Sequence, residues 1–293
     1  MKKETERYLA KPGNKISLKD FETSYDGEQE KEEGELALEE MKKRLSVFQE
    51  TMYAANTHSM LMIFQAMDAA GKDSAIAHVM SGINPQGCQV HSFKTPSANE
   101  YKHDFLWRHY LALPEKGKIG IHNRSHYENV LVCKVHPEYI LSENIPGYTA
   151  VKDLDKKFWQ SRYESIRNFE THLSNSGTVI IKFFLYVSKD EQKQRFLDRI
   201  NDPDKNWKFS EGDLEERKLW DKYMDAYETA IAETSTKNAP WYIIPADKKW
   251  HARLAISEII AATFEKLDLK FPELPKEEQA RLEDLKKKLL KDD

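Results

Sequence analysis

Gly71 and Lys72 have the residue types and the position that phosphate chemistry requires. They follow a short apolar run and open a helical pattern, and at such a turn backbone N–H groups form a cradle for anions. The segment departs from the standard GxxxxGKS/T pattern, because Ala66 replaces the first glycine and Asp73 replaces the magnesium-binding hydroxyl, with Ser74 one position later. The strand before the turn and the helix after it still predict a phosphate loop. The predicted phosphate-binding residues are Ala69, Ala70, Gly71, Lys72, Asp73 and Ser74.

Asp68 lies inside the predicted loop, where a bare carboxylate would repel phosphate. Mg²⁺ is commonly bound by one or two carboxylates together with substrate phosphates, and such an ion would screen the acid. The sequence therefore predicts that Asp68 is a metal ligand.

A second polar cluster, His122 to Glu128, follows a predicted strand at 119–122. Polar residues beyond the carboxyl end of a strand in an open α/β sheet face the ligand crevice. Arg124 can bind two oxygens of a transferring phosphate at once, which a lysine cannot do. The alternative is a solvated loop in which Ser125 caps a helix.

A turn-rich loop at 201–213 interrupts the helical pattern and contains Lys205 and Lys208. A loop of this length inside a compact α/β domain is more often functional than idle, so we expect a lid. Arg195 and Arg199 precede it and share one helix face. A closing lid would bring such charges to the developing charge of a phosphoryl transfer. The alternative is a solvated charged face.

Apolar patterns of two periods alternate along the chain. Short runs predict strands at 60–64, 90–93, 119–122, 178–187 and 241–244. Spacings of three and four residues predict helices at 36–53, 97–111, 158–173, 189–200, 214–232 and 248–267. Ser97 and Glu100 form a capping box at the start of the second helix. Strands that alternate with helices predict an α/β fold, with a parallel sheet sandwiched by helices.

The composition excludes several classes of protein. The 293 residues carry 45 Lys and Arg against 49 Asp and Glu, a formal charge of −4, which argues against a dedicated nucleic-acid binder. No apolar run reaches the roughly 20 residues that span a bilayer, and the first residues lack the apolar segment of a signal peptide. Because Cys88 and Cys133 form neither a disulfide pattern nor a CxxC motif, we expect a cytoplasmic protein without zinc.

We expect three parts of the chain. Residues 1–58 are predicted to form a polar arm, too poor in apolar residues for a core, and a helix that packs on the core. Residues 59–271 are predicted to form the core, with a lid at about 195–222. Residues 272–293 are predicted to form a charged helical tail.

Five segments, in order, resemble the polyphosphate kinase 2 family over nearly the whole chain. They are FQAMDAAGKDS (64–74), INPQGCQVHSFKTPS (83–97), HDFLWRHYLALPEKGKIGIHNRSHYENVLV (103–132), IIKFFLYVSKDEQKQRF (180–196) and DPDKNWKFSEGDLEER (202–217). The forms QAMDAAGKD and NRSHYE resemble the class III subgroup, whose members phosphorylate nucleoside monophosphates and diphosphates from inorganic polyphosphate.

This resemblance implies a fold, a reaction and an assembly. The fold would be a P-loop kinase core similar to thymidylate kinase, with a helical lid. The reaction would be a reversible transfer between polyphosphate and AMP or ADP, with ATP as a further nucleotide ligand and Mg²⁺ as the cofactor, for which Mn²⁺ can substitute. The chain would form a homodimer or homotetramer, without a membrane or a dedicated nucleic acid as partner.

The resemblance also implies roles for single residues. The implied catalytic residues are Asp68, Lys72, Asn123, Arg124 and Arg199. Asp68 and Asn123 would hold the metal, although many family members have Asp where Asn123 stands, and an amide oxygen coordinates without bringing a charge. The implied nucleotide-binding residues are Arg124, Glu128, Arg195 and Arg199. Polyphosphate would bind to the phosphate loop and to Lys94, Arg108, Arg195 and Lys208.

The distribution of charge reconciles an acidic chain with a polyanionic substrate. Residues 71–136 hold eight Lys and Arg against five Asp and Glu, whereas residues 1–50 hold ten against thirteen. Two alternatives remain open. One is an ATP-dependent nucleotide kinase of the same fold, which needs the same lysine, metal and arginines. The other is a non-catalytic protein that binds nucleotides or polyanions.

Overall fold

Apolar runs form the strands of one sheet, and the segments between them form helices. The computed structural model describes residues 5–13, 15–25 and 27–291. The strands are β1 (Leu9–Ala10), β2 (Ser59–Ala66), β3 (Cys88–Ser92), β4 (Ile119–Asn123), β5 (Thr178–Tyr186) and β6 (Trp241–Pro245). The α-helices are α1 (Lys31–Ala55), α2 (Lys72–Val79), α3 (Trp107–Tyr110), α4 (Val132–Val135), α5 (Lys156–Asn175), α6 (Lys189–Asn201), α7 (Glu211–Lys218), α8 (Trp220–Thr234), α9 (Lys249–Leu267) and α10 (Lys276–Leu289).

The sheet has the strand order β1-β6-β5-β2-β4-β3. Strands β2 to β6 run parallel, and Met62 in the middle of β2 lies opposite Ile121 of β4 and Ile181 of β5. Every residue of β2 is buried, which explains why this strand is a continuous apolar run rather than an alternating one. The predicted α/β fold with a parallel sheet is confirmed.

Two groups of helices flank the sheet. Helices α1, α2 and α9 pack together, and α5 packs on β5 and on α8, which also contacts α4. Crossover helices of this kind cover both faces of a parallel sheet, so the carboxyl ends of its strands stay open at one edge. None of the helices that the structure describes is both long and apolar enough to cross a membrane.

The predicted helix at 97–111 is wrong in its extent. A 3₁₀ turn at Glu100–Lys102 and the short helix α3 replace it. The Ser97 hydroxyl does accept from the N–H of Glu100 at 3.3 Å, as the capping box predicts. The carboxylate of Asp104 then accepts from the N–H of Leu106 at 2.9 Å, and this local bond competes with the helical pattern. The predicted helix at 214–232 is divided into α7 and α8.

The polar arm contributes to the core, which its composition did not indicate. Strand β1 pairs antiparallel with β6, so that Leu9 lies opposite Tyr242. Tyr8 and Ala10 are buried. A strand of two residues is too short to show a period, so no sequence pattern predicts it. At the other terminus, every residue of α10 is exposed. The division into arm, core and tail stays a prediction.

A buried polar network links β5, in the middle of the sheet, to the helices α5 and α8. The ammonium of Lys182 on β5, which is 0% exposed, donates to the Tyr127 hydroxyl at 2.8 Å, to Glu170 Oε2 at 2.6 Å and to the Thr234 carbonyl at 2.9 Å. The Tyr127 hydroxyl donates to Glu170 Oε1 at 2.8 Å. All three ammonium protons are therefore used, as burial of a charge requires. The network fixes the turn that begins just after Arg124.

Candidate active site

The turn between β2 and α2 has the geometry of an anion cradle. Gly71, immediately before α2, has a left-handed backbone with φ of +99°, which glycine adopts without a steric cost. The N–H of Ala70 donates to the carbonyl of Met67 at 3.2 Å and closes the turn. The first N–H groups of a helix have no intrahelical partner, so the start of α2 presents donors to an anion. The strand, turn and helix are as predicted, and phosphate binding stays a prediction.

Lys72 is the first residue of α2, and its side chain reaches back to the end of β2. Its Nζ donates to the carbonyl oxygen of Ala66 at 2.9 Å. Burial lowers the pKa of Lys72, while the carboxylate of Asp68 opposes this shift. The ammonium lies in a partly dehydrated site, where its interaction with an anion is stronger than in water.

Arg124 and Asp68 face each other across the open edge of the sheet. Arg124 Nη2 lies 3.2 Å from Asp68 Oδ1. Arg124 has a left-handed backbone, with φ of +63°, and its N–H donates to the carbonyl of Phe64 at 3.1 Å. Burial opposes the charge of Arg124, but the carboxylates of Glu128 and Asp68 outweigh it and raise its pKa. The structure thus brings together two residues that are 56 positions apart.

Glu128 lies beside the same cations. Burial raises the pKa of Glu128, and the charges of Arg124 and Lys72 oppose that rise without cancelling it. The ring of Tyr227 on α8 belongs to the same group, because burial and the charge of Glu128 raise its pKa. The charges of Lys72, Arg124 and Glu128 therefore act on one another, and those of Arg124 and Glu128 also act on the Tyr227 phenol beside the loop.

Asn123, at the end of β4, points towards the first turn of α2. Its Nδ2 donates to Asp73 Oδ1 at 2.5 Å, which leaves the Asn123 amide oxygen for another partner. Among the described residues, no group of three or more His, Cys, Asp or Glu is arranged to hold a metal ion by itself. Mg²⁺ in phosphoryl-transfer sites keeps waters and takes only one or two carboxylates besides the phosphates. The oxygens of Asp68, Asp73 and Asn123 fit that small donor set.

Arg195 supports the loop in this structure and does not face the open space. Its Nη1 donates to the carbonyls of Ala69 and Ala70 at 3.1 and 2.8 Å, and its Nη2 donates to those of Ala246 and Asp247 at 2.6 and 3.0 Å. The side chain is buried. The direct phosphate and nucleotide contacts expected for Arg195 stay a prediction. A shared helix face predicts direction around the helix, but it does not tell a buried arginine from an exposed one.

The comparisons with known proteins agree with this geometry. The profile of the family Polyphosphate kinase 2 (PPK2) matches residues 28–272. The chain belongs to the polyphosphate kinase 2 family. The resemblance predicted from the five segments is thus confirmed, and this PPK2 chain is a phosphotransferase.

Similar proteins match this PPK2 chain over almost its full length. An ADP-polyphosphate phosphotransferase of Rhodopseudomonas palustris is 52% identical over 99% of this chain and 100% of its own. An AMP/ADP-polyphosphate phosphotransferase of Meiothermus ruber is 43% identical over 91% of this chain and 95% of its own. The crystal structure of polyphosphate kinase 2 from Arthrobacter aurescens TC1 superposes with a TM-score of 0.83 at 37% identity, covering 94% of this chain and 98% of that one. This likeness confirms the P-loop kinase fold.

Arg199 of this PPK2 chain ties α6 to the segment before α7. Its Nη1 lies 3.8 Å from Asp213 Oδ2 and donates to the Lys208 carbonyl at 3.5 Å. The Lys208 side chain itself is exposed. Both residues therefore lie in the expected lid segment, and their contacts with substrate stay predictions.

Lys94 and Arg108 form a separate group. Arg108 Nη1 donates to the carbonyl of Lys94 at 2.8 Å and lies 3.7 Å from Glu100 Oε1. Within the described part of the chain, neither of these two cations forms a hydrogen bond or an ion pair with the phosphate loop. Their role in binding polyphosphate stays a prediction.

The sequence reasoning missed two supports of the PPK2 loop. Gln192 Nε2 on α6 donates to the carbonyl of Asp68 at 2.9 Å, and Arg253 Nη2 on α9 donates to the Ser74 hydroxyl at 2.8 Å. The contact from Arg253 could have been anticipated, because α9 follows β6 and so begins at the same edge of the sheet as the loop. No local motif marks Gln192.

Proposed function

We propose that this PPK2 chain transfers the terminal phosphoryl group of inorganic polyphosphate to AMP and to ADP, and that the transfer is reversible. The observation that carries the proposal is the pairing of Arg124 with Asp68 beside the half-buried Lys72, at the mouth of a strand–turn–helix anion cradle. It is supported by two relatives of nearly equal length whose names state a transfer between polyphosphate and ADP or AMP.

The chain's own residues can supply most of the chemistry. Phosphoryl transfer needs in-line positioning and neutralisation of the equatorial oxygens, with little covalent chemistry from the protein. Lys72 and the first N–H groups of α2 would bind the donor end. Arg124 would bind two oxygens of the transferring group and release Asp68 as it does so. The acceptor is already a phosphate anion, so no strong general base is required, and Glu128 would orient Arg124 and Lys72.

We also propose that Asp68 and Asn123, assisted by Asp73, hold Mg²⁺, or Mn²⁺ in its place. The ion would neutralise charge on the phosphate oxygens between donor and acceptor. The hydrogen bond from Asn123 Nδ2 to Asp73 supports this assignment, because it orients the amide so that its oxygen is left for the ion. The set has two negative charges where an Asp at 123 would give three.

Asn123→Asp is expected to lower the Mg²⁺ concentration for half-maximal activity by several-fold, because the affinity of an oxygen site rises with its charge. In metal-free buffer the variant should melt at a lower temperature, since two carboxylates replace the bond to Asp73. Magnesium titrations of rate and of Tm measure both effects. Asn238→Asp, at an exposed position on another loop, serves as the matched control. An unchanged magnesium midpoint would remove Asn123 from the metal site.

One assay shows which nucleotides accept the phosphoryl group. Purified protein is incubated with Mg²⁺, long-chain polyphosphate and either AMP or ADP, and the nucleotides are separated by chromatography. We expect ADP and then ATP from AMP, and ATP from ADP. When ATP is in excess over a small amount of polyphosphate, which then serves as the acceptor, we expect ATP to be converted to ADP. Product from ADP only would restrict the proposal to the diphosphate. Transfer that requires ATP as donor would favour an ordinary nucleotide kinase.

The compartment and the assembly are further proposals. We propose a cytoplasmic enzyme because Cys88 and Cys133 are free thiols. Burial raises the pKa of Cys88 to about 11 and that of Cys133 to about 12, so both stay protonated at neutral pH. The homodimer or homotetramer implied by the family stays a prediction, which light scattering on the purified protein measures.

A further inference from the structure

A small pocket lies beside the phosphate loop, between the loop and α9. Its loop side is formed by Ala70, Gly71 and Ser74, and its other side by Lys249 and Arg253 of α9. The pocket lies at the edge where β6 ends and α9 begins, next to the start of α2. The side chains of Arg253 and Ser74 are in direct contact, with Nη2 and Oγ 2.8 Å apart.

The pocket holds two cations whose charges are not matched by close acids. Within the described residues, neither Lys249 nor Arg253 forms an ion pair; Glu191 and Asp198 act on Lys249, and Glu35 acts on Arg253, only through longer-range attraction. Burial lowers the pKa of both residues, and the charges of Arg195 and Arg253 lower that of Lys249 further. Lys249 is exposed and Arg253 is half-buried. Two neighbouring cations without an ion-pair partner are stabilised when an anion binds to both.

Arg195 cannot neutralise this excess. Its guanidinium is directed to four backbone carbonyls, and its Nε donates to Glu191 Oε1 at 2.7 Å. The side chain therefore adds positive charge beside the pocket while its donors are already used. An incoming anion would find Lys249 and Arg253 as the available donors.

The position of the pocket determines which phosphates of a bound polyphosphate donor would reach it. In a phosphate loop the lysine reaches the phosphates nearest the transferred group, and the residues after it in the helix lie beside the phosphates further back. Ser74 is two residues beyond Lys72, and it contacts Arg253. A donor that continues past Ser74 thus meets Arg253 and Lys249, between the small side chains of Ala70 and Ala252.

We propose that Lys249 and Arg253, next to Ser74, bind the phosphates of a polyphosphate chain that lie behind those held by the loop, and so favour long donors over short ones. The inference rests on the proposed function and adds to it a subsite outside the loop. Each cation would contribute a charge-assisted contact that tripolyphosphate is too short to make.

Binding in the absence of an acceptor nucleotide tests the subsite. The dissociation constants of long-chain polyphosphate and of tripolyphosphate are measured for the wild type, Lys249→Met and Arg253→Met, with Mg²⁺ and at fixed salt. Each variant is expected to bind the long chain about tenfold more weakly, because a hydrogen bond to a charged group is lost. Binding of tripolyphosphate should change less than about twofold.

Three further variants control the experiment. Lys266→Met removes the same charge from the exposed last turn of α9 and should bind both ligands as the wild type does. Arg253→Lys, which is used if Arg253→Met folds poorly, keeps a cation at this position. Its affinity for the long chain should fall less than that of Arg253→Met. Ser74→Ala changes a residue of the loop itself, so it should weaken the binding of both ligands and shows what a loss at the loop looks like.

The outcomes separate this inference from the proposed function. Wild-type affinity of Lys249→Met and of Arg253→Met for the long chain would overturn the subsite while leaving the transfer reaction intact. If Arg253→Met does not fold, the affinity of Lys249→Met decides alone. An equal loss for both ligands would also overturn it, since the two cations would then act through the loop. Failure of the wild type to bind or use any polyphosphate would instead remove the proposed function.

Discussion

Lys72→Met is expected to lower kcat for transfer from polyphosphate by at least about 10²-fold, the usual scale for the loss of one preorganised electrostatic donor. The Lys72 side chain is half-buried at the loop, and its ammonium is hydrogen-bonded to the end of β2, so it is positioned before substrate arrives. Methionine has a similar length and no charge. Initial rates with saturating ADP and long-chain polyphosphate measure the effect.

The loss must be separated from damage to the fold. Lys237→Met, which removes an exposed lysine between α8 and β6, should retain the wild-type rate. Lys72→Met should melt within a few degrees of the wild type, because burial of the ammonium is itself unfavourable. A correctly folded Lys72→Met protein with a near-normal kcat would exclude Lys72 from contact with the transferring group.

Lys182→Met is expected to lower the free energy of unfolding by about 3–5 kcal/mol, the range for removing one partner of a buried ion pair. Burial raises the pKa of Glu170, but the ammonium of Lys182 and the ring of His126 together outweigh burial and hold that pKa below its ordinary value. The variant therefore leaves a buried carboxylate without its cation. Equilibrium unfolding in urea at neutral pH measures the difference.

A double variant tests whether the unpaired carboxylate of Glu170 causes the loss of stability. Lys182→Met combined with Glu170→Gln should recover part of the lost stability, because no charge then stays buried without a partner. Activity should fall as well, since Tyr127 of this network lies three residues after Arg124. A single variant that unfolds within about 1 kcal/mol of the wild type would contradict the structural role of the network.

The loop and the central strands could be predicted because their signals are local. A continuous apolar run such as Met60 to Phe64 is typical of a strand buried on both faces, and Gly71 and Lys72 then mark the turn and the helix start. The convergence of Asp68 and Arg124 follows from topology, because parallel strands end at the same edge of the sheet. Only the distance between the Arg124 guanidinium and the Asp68 carboxylate had to be taken from the structure.

Other features depend on contacts that no local pattern encodes. The bond between Arg253 and Ser74 joins residues 179 positions apart. Arg195 could be placed on a helix face, but its burial against four carbonyls depends on how α6 packs on the loop. The expected helix at 97–111 was interrupted by the side chain of Asp104, whose local bond outweighs a weak periodicity.

Transfer of labelled phosphate tests the central claim most directly. The purified protein is mixed with ³²P-labelled long-chain polyphosphate, ADP and Mg²⁺ in the absence of ATP, and the label in ATP is followed with time. We predict that label appears in ATP with the wild type, and that it is abolished by a chelator and reduced to a small fraction in Lys72→Met. Labelled ATP no higher than with heat-inactivated protein, while the same preparation phosphorylates AMP from ATP, would contradict the assignment of polyphosphate as the donor.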